Sequence, residues 1–146
     1  MLLGTGHGIG HFLNVHEGPH GISSSVADPI KLETALVENM AVTNEPGYYH
    51  TGAFGIRIEN VLVVKKAETK HRFQDKQFLG FDTITKVPIQ KKLIAVELLT
   101  KTEIRWLNAY HEDVLNTLQD FFTGHELNWL QNATAPLLPH NDSNIN

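Results

Sequence analysis

Four histidines fall within fourteen residues in the stretch GTGHGIGHFLNVHEGPHG, residues 4–21: His7, His11, His16 and His20. A neutral imidazole can bind a divalent metal or carry a proton near neutral pH. His7 and His11 are four apart, a spacing that puts two side chains on one face of a helix. Gly8 and Gly10 stand between them, and each interior glycine costs a helix about 1 kcal/mol, so a helical H-x-x-x-H site is disfavoured. In an extended chain His7 and His11 share one face and His16 lies on the other. Histidine spacing alone is therefore a weak metal signal. Two carboxylates sharpen it. Glu45 ends a strand-like run before Pro46-Gly47, and Glu59 interrupts an otherwise apolar run. A carboxylate buried in a strand is costly unless it is paired or bound to a metal. Arg57, on the same strand face as Glu59, offers an ordinary ion pair. On the residues alone, both the ion pair and the metal site stay open.

The elements that must position these groups are short. Residues 1–21 are too rich in glycine for a helix and read as loop with short extended pieces. Residues 22–29 are turn-prone, and 30–40 read as a connector or one short helix. Residues 41–45 form a strand that stops at Pro46, because the residue before proline prefers extended backbone. Pro46-Gly47 suits the centre of a type II turn. Residues 53–64, AFGIRIENVLVV, are the clearest strand, with Ile56, Ile58 and Asn60 on one face and Arg57, Glu59 and Val61 on the other. The run VLVV reads as buried on both faces. Residues 65–77 are polar and exposed, 78–87 form another strand, and 88–97 a connector. Thr100-Lys-Thr-Glu103 is a capping-box pattern. It opens a helix whose apolar stripe holds Ile104, Leu107, Val114, Leu115, Leu118, Phe121 and Phe122, with Gly124 as its end signal. Residues 126–132 add a further turn or two, and 136–146 form a frayed polar tail.

Composition bounds the function. The 146 residues suit one compact domain or a small domain with an extension. Apolar residues make up 41% and the formal net charge is -4 without a long basic run, which disfavours nucleic acid as a partner. No apolar run approaches 18 residues, so no transmembrane helix is expected, and the N-terminus lacks signal-peptide features. With no cysteine, disulfides and thiolate metal sites are excluded, which fits a reducing compartment.

GTGHGIG, FLNVHEGP, TNEPGYY and GAFGIRIEN, in this order, closely resemble the Xaa-Pro aminopeptidases (aminopeptidase P), members of the pita-bread metallopeptidase family. FLGFDTITKVPIQKKLI and WLNAYH resemble the C-terminal extension of the longer, cytosolic-type members. The resemblance covers roughly residues 3–136. It implies an α+β fold: the second half of a pita-bread catalytic domain over residues 1–66, then a strand-and-helix C-terminal extension with a disordered tail over 67–146. It also implies a site for two divalent ions, manganese or zinc, held in the family by two aspartates, one histidine and two glutamates. His7 matches the histidine ligand, and Glu45 and Glu59 match the two glutamates. His16 matches a histidine that contacts substrate and steadies the tetrahedral intermediate. Arg57 and Tyr49 match a hydrogen-bonded network around the metals. Glu45 can also accept a proton. Carboxylates and imidazole suit such ions, which activate water and polarise a scissile carbonyl. The implied substrates are peptides with proline in the second position, and the implied full-length protein is a cytoplasmic homodimer.

The resemblance gives no role to His11 or His20, which read as loop histidines, and Tyr48 reads as packing. His71, His111, His125 and His140 read as surface residues. The family's two metal-binding aspartates lie upstream of GTGHG, and Leu3 stands where the family carries a substrate-binding histidine. Asp28 follows the motif and cannot replace them. The chain thus holds three of five ligands and is expected to be inactive alone, with the strand bearing Glu59 exposing an edge and an apolar face. A second expectation is a non-catalytic interaction module that pairs with a full-length aminopeptidase subunit. A third is a self-contained mononuclear site built from His7, His11 or His16 with a glutamate.

Overall fold

A computed structural model describes residues 4–23 and 33–138. The expectations for residues 24–32 and for the tail from 139 onward lie outside the described residues. Two compact units divide the chain, Met1–Thr85 and Lys86–Asn146.

The first unit is built from short antiparallel strands. Strands β1 (Gly6–His7) and β2 (Gly21–Ile22) pair with each other. Strand β3 (Ala41–Asn44) pairs with β6 (Asn60–Ala67), and β6 pairs in turn with β7 (Phe78–Thr83), so β6 is the central strand of three. Its sequence NVLVVKKA explains that place. Asn60, Leu62 and Val64 are buried, while Val61 and Val63 are half-buried. The run therefore alternates rather than burying both faces equally, the period-2 pattern of an antiparallel strand with one better-covered face. Strands β4 (Gly47–His50) and β5 (Phe54–Arg57) form a separate hairpin, exposed along its length.

That hairpin corrects the reading of residues 53–64 as one strand. The chain leaves β5 at Arg57, passes Ile58 and Glu59, and enters β6 in a different sheet. Glu59 thus lies on a link between strands. The β6 half of that segment is flanked on both sides by β3 and β7, while β5, in the two-stranded sheet with β4, keeps one edge unpaired among the described residues, as expected. The expected apolar face is exposed, at Phe54, Ile56 and Ile58 of the segment that carries Glu59 and at Tyr48 across the hairpin, and β7 exposes Phe78, Leu79 and Phe81 as well. Gly47 opens β4 and does not have the positive φ that the third position of a type II turn requires. The tight turn falls later, at residues 50–53, where Ala53 N–H donates to the His50 carbonyl at 3.0 Å and Gly52 takes φ +76°. Lys65, Lys66 and Ala67, from the run read as polar and exposed, extend β6, and the two lysines are exposed as expected.

The second unit packs two helices, α1 (Lys101–Leu118) and α2 (Gly124–Thr134). Thr100 caps α1 with a full capping box: its hydroxyl accepts from Glu103 N–H, and the Glu103 carboxylate accepts from Thr100 N–H at 2.7 Å. The Thr100 hydroxyl, and then its backbone N–H, hold the Glu103 carboxyl below its ordinary range. The core joins Leu107, Tyr110, Val114 and Leu130. Gly124, expected to end the first helix, opens the second with φ +56°, and Phe121 lies on a solvent-facing turn rather than in the core. The start of the expected frayed tail is tied down, since Leu137 N–H donates to Asn108 Oδ1 and Asn108 Nδ2 donates to the Leu137 carbonyl.

His111 is the clearest departure from expectation in this unit. It is 0% exposed, not a surface residue. Its Nε2 accepts a hydrogen bond from Ile89 N–H at 3.1 Å, which requires that nitrogen to be unprotonated. Burial, then the Lys91 cation, hold its pKa below that of a free histidine. His71 and His125 are exposed as expected.

Candidate metal centre

Three elements of the first unit converge on one point. Strand β1 presents His7, the end of β3 presents Glu45, and the link after β5 presents Glu59. Ligand atoms of these three side chains all lie within 4.8 Å of one another. His7 Nε2 is 2.9 Å from Glu45 Oε1. Arg57 Nη1 lies 3.3 Å from Glu45 Oε2 and 3.8 Å from Glu59 Oε2. Arg57 Nε donates to the Tyr49 hydroxyl at 2.8 Å, with the guanidinium 5.8 Å from the Tyr49 ring centroid. That hydrogen bond is the first cause of a raised Arg57 pKa, with the Glu45 and Glu59 charges adding to it. Arg57 is thus a cation between two carboxylates, and the ordinary ion pair that the residues offered is present beside the three-ligand cluster.

Local sequence explains the convergence. Gly6 lets β1 lie against β3, for a Cβ there would stand 1.9 Å from the Thr43 carbonyl oxygen. Glu45 N–H donates to the Thr5 carbonyl at 2.6 Å, which holds the end of β3 to β1. Hydrogen bonds pair the hairpin at Gly47↔Arg57 and bring Arg57 back beside Glu45. His16 is exposed, and its ring centroid stands 4.4 Å from that of His7 at a tilt of 47°. Glu17 shapes the loop that carries His16: its carboxylate accepts from Phe12 N–H at 2.7 Å and Leu13 N–H at 2.5 Å.

The donor set fits a divalent ion. One imidazole and two carboxylates suit manganese or zinc. The His7 Nδ1 lies 3.0 Å from the Gly8 carbonyl. With Nδ1–H turned to that carbonyl, the Nε2 lone pair faces a Glu45 oxygen at 2.9 Å. In that tautomer Nε2 and the Glu45 carboxylate offer adjacent lone pairs to a metal ion.

The other histidines separate. His11 is exposed and takes no part in the cluster, so among the described residues no mononuclear site forms around it. His20 is buried, with Nε2 2.8 Å from the Ala41 carbonyl, and serves to join its loop to β3. Tyr48 packs its ring against Phe54 across the hairpin, with centroids 5.8 Å apart, while staying largely exposed. Two contributors escaped the sequence reading. Thr43 is buried beneath the cluster, and Glu17 braces the His16 loop. The signal for Thr43 was its place two residues before Glu45, on the same strand face.

Among the described residues, no helix is long and apolar enough to cross a membrane. Residues 2–66 match the model of the metallopeptidase family M24, and residues 77–137 match that of the C-terminal region of peptidase M24. The chain is 51% identical over 136 residues to "Probable Xaa-Pro aminopeptidase P" of Sclerotinia sclerotiorum, covering 92% of this chain and 22% of that protein. It is 52% identical over 134 residues to the protein of the same name in Fusarium vanettenii, covering 90% of this chain and 21% of that one. Among solved structures it resembles the X-prolyl aminopeptidase from Caenorhabditis elegans, described as a cytosolic enzyme with a di-nuclear active site. The identity is 41% and the TM-score 0.74, over 92% of this chain and 21% of that one. The chain spans about a fifth of the length of these relatives. Its α+β arrangement, with short strands and two helices among the described elements, is that of the C-terminal portion of a pita-bread enzyme, and the chain belongs to the metallopeptidase family M24.

Proposed function

We propose that this chain carries part of the catalytic centre of an Xaa-Pro aminopeptidase, which hydrolyses the bond between an N-terminal residue and a following proline. The observation that supports this reading most is the gathering of His7, Glu45 and Glu59 within 4.8 Å. These three side chains would supply three of the five ligands for two divalent ions, manganese or zinc. Such ions, when bound, supply an activated water and polarise the scissile carbonyl. Glu45 accepts the proton of the attacking water at a carboxylate oxygen. His16 donates a hydrogen bond to the oxygen that gains negative charge. Arg57, anchored by Tyr49, keeps the Glu45 and Glu59 carboxylates in place and offsets part of their charge.

In this reading residues 1–66 are the C-terminal part of the catalytic domain and 67–146 the extension. The compact first unit runs further, to Thr85, because β7 is paired with β6. The reading carries with it a cytoplasmic, homodimeric full-length protein. The 146 residues alone, holding three of five ligands, form an inactive chain. The test compares the full gene product with the 146-residue chain on an Xaa-Pro peptide in the presence of manganese. Hydrolysis by the full product, abolished in Glu59→Gln and absent from the short chain, supports the reading. Full activity in Glu59→Gln refutes the assignment of the ligands.

A further inference from the structure

Beneath the cluster lies one hydroxyl that touches two of the three candidate ligands. Thr43 is 2% exposed. Its Oγ1 accepts a hydrogen bond from the backbone N–H of His7 at 2.9 Å and donates one to Glu45 Oε1 at 3.0 Å. A threonine hydroxyl has one proton. The alternative acceptor, the His7 carbonyl, stands at 3.5 Å, so the shorter contact to Glu45 takes it. One oxygen thus ties the strand that carries the imidazole to the carboxylate of the next ligand. Glu45 Oε1 is also the atom 2.9 Å from His7 Nε2. Thr43, His7 and Glu45 close a ring in which the hydroxyl sets the distance between the two donor groups.

We infer that Thr43 is a positioning residue that fixes His7 and Glu45 in metal-binding register; this rests on the metal reading given above. A half-buried carboxylate that has lost its donor turns toward whatever cation is nearest, here Arg57 Nη1 at 3.3 Å from its other oxygen. Without the hydroxyl, Glu45 rotates toward Arg57 and the His7–Glu45 pair opens. Valine matches threonine in shape and lacks the hydroxyl, whereas serine keeps it.

The test uses the full gene product with Thr43→Val and Thr43→Ser. Manganese affinity is measured by titration calorimetry, and hydrogen exchange of the His7 amide by NMR in the metal-free protein. Loss of a group that orients a metal ligand weakens binding about 10–100-fold. That loss is expected in Thr43→Val. The His7 amide then exchanges roughly tenfold faster, while the β6 and β7 amides keep their wild-type rates. Thr43→Ser is expected to stay within about threefold of wild type in both readouts, a rescue that a purely space-filling role would not give. Wild-type manganese affinity in Thr43→Val overturns the inference, as does equal damage in Thr43→Ser. If the wild-type protein binds no manganese, the metal reading fails. The His7 amide then decides the inference, and unchanged exchange in Thr43→Val overturns it. If Thr43→Val does not fold, Thr43→Cys takes its place, since a thiol fills the space but hydrogen-bonds weakly.

Discussion

Gly6→Ala should dismantle the centre without touching any group that could bind a metal. An added Cβ would stand 1.9 Å from the Thr43 carbonyl oxygen and 3.0 Å from its carbon. Both atoms are backbone and cannot rotate aside. Ordinary contact begins near 3.4 Å, so β1 must retreat from β3 by about 1.5 Å. Two hydrogen bonds span that gap on either side of Gly6: Glu45 N–H to the Thr5 carbonyl at 2.6 Å and His7 N–H to Thr43 Oγ1 at 2.9 Å. At about 1 kcal/mol net for each, the loss is roughly 2 kcal/mol, which lowers a melting midpoint by roughly 5–10 °C in a domain of this size. The matched control is Gly80→Ala on β7, where the new Cβ meets only Ala67 Cβ at 3.5 Å. Thermal unfolding followed by circular dichroism compares the two. Gly80→Ala should melt within a degree or two of wild type. If Gly6→Ala melts with it, the strands are not in the close contact on which the geometry of the centre depends.

Three further outcomes are expected. His111 is buried with its pKa held below the free value, so the folded state favours its neutral form. Its contribution is fully present above about pH 6.5 and is lost as pH falls below that, through its folded value. Denaturant unfolding across pH 4–8 should show a shallower acid decline, by at most about one proton, in His111→Phe. Leu130→Ala removes a side chain that is 1% exposed from the helical core and should cost about 2–5 kcal/mol in denaturant unfolding. A loss under 1 kcal/mol would mean that α2 does not pack as described. In the full gene product, His16→Ala should lower kcat for an Xaa-Pro peptide about 100–1000-fold with little change in fold, and an unchanged kcat would remove His16 from the reaction.

Much of the centre was legible because its residues are local in sequence and its motifs specific. GTGHG, NEPG and IRIEN named His7, Glu45 and Glu59, and those are the three side chains that meet. The capping box at Thr100 and Glu103 was legible too, because it depends on residues three apart. What was hidden depends on contacts between distant segments. AFGIRIENVLVV alternates as one strand would, yet β5 answers to β4 while β6 answers to β3 and β7, and the break falls at the two residues between. No period in a single segment reports such a change of partner. Gly124 carries the positive φ that suits a helix boundary, but glycine marks either side of one, and here it opens α2. His111 looked like one more polar residue on a helix. Its burial follows from Ile89, 22 residues earlier, reaching its ring. Thr43 was hidden for the same reason, since its hydroxyl gains meaning only when β1, 36 residues away, lies against it.

The most direct test of the central claim is an anomalous-scattering map from crystals of the full gene product grown with manganese. The account predicts manganese peaks bonded to His7 Nε2 and to the carboxylates of Glu45 and Glu59, with Arg57 still donating to the Tyr49 hydroxyl. A map with no peak at these three residues, and with Glu45 and Glu59 paired only to Arg57, would contradict it.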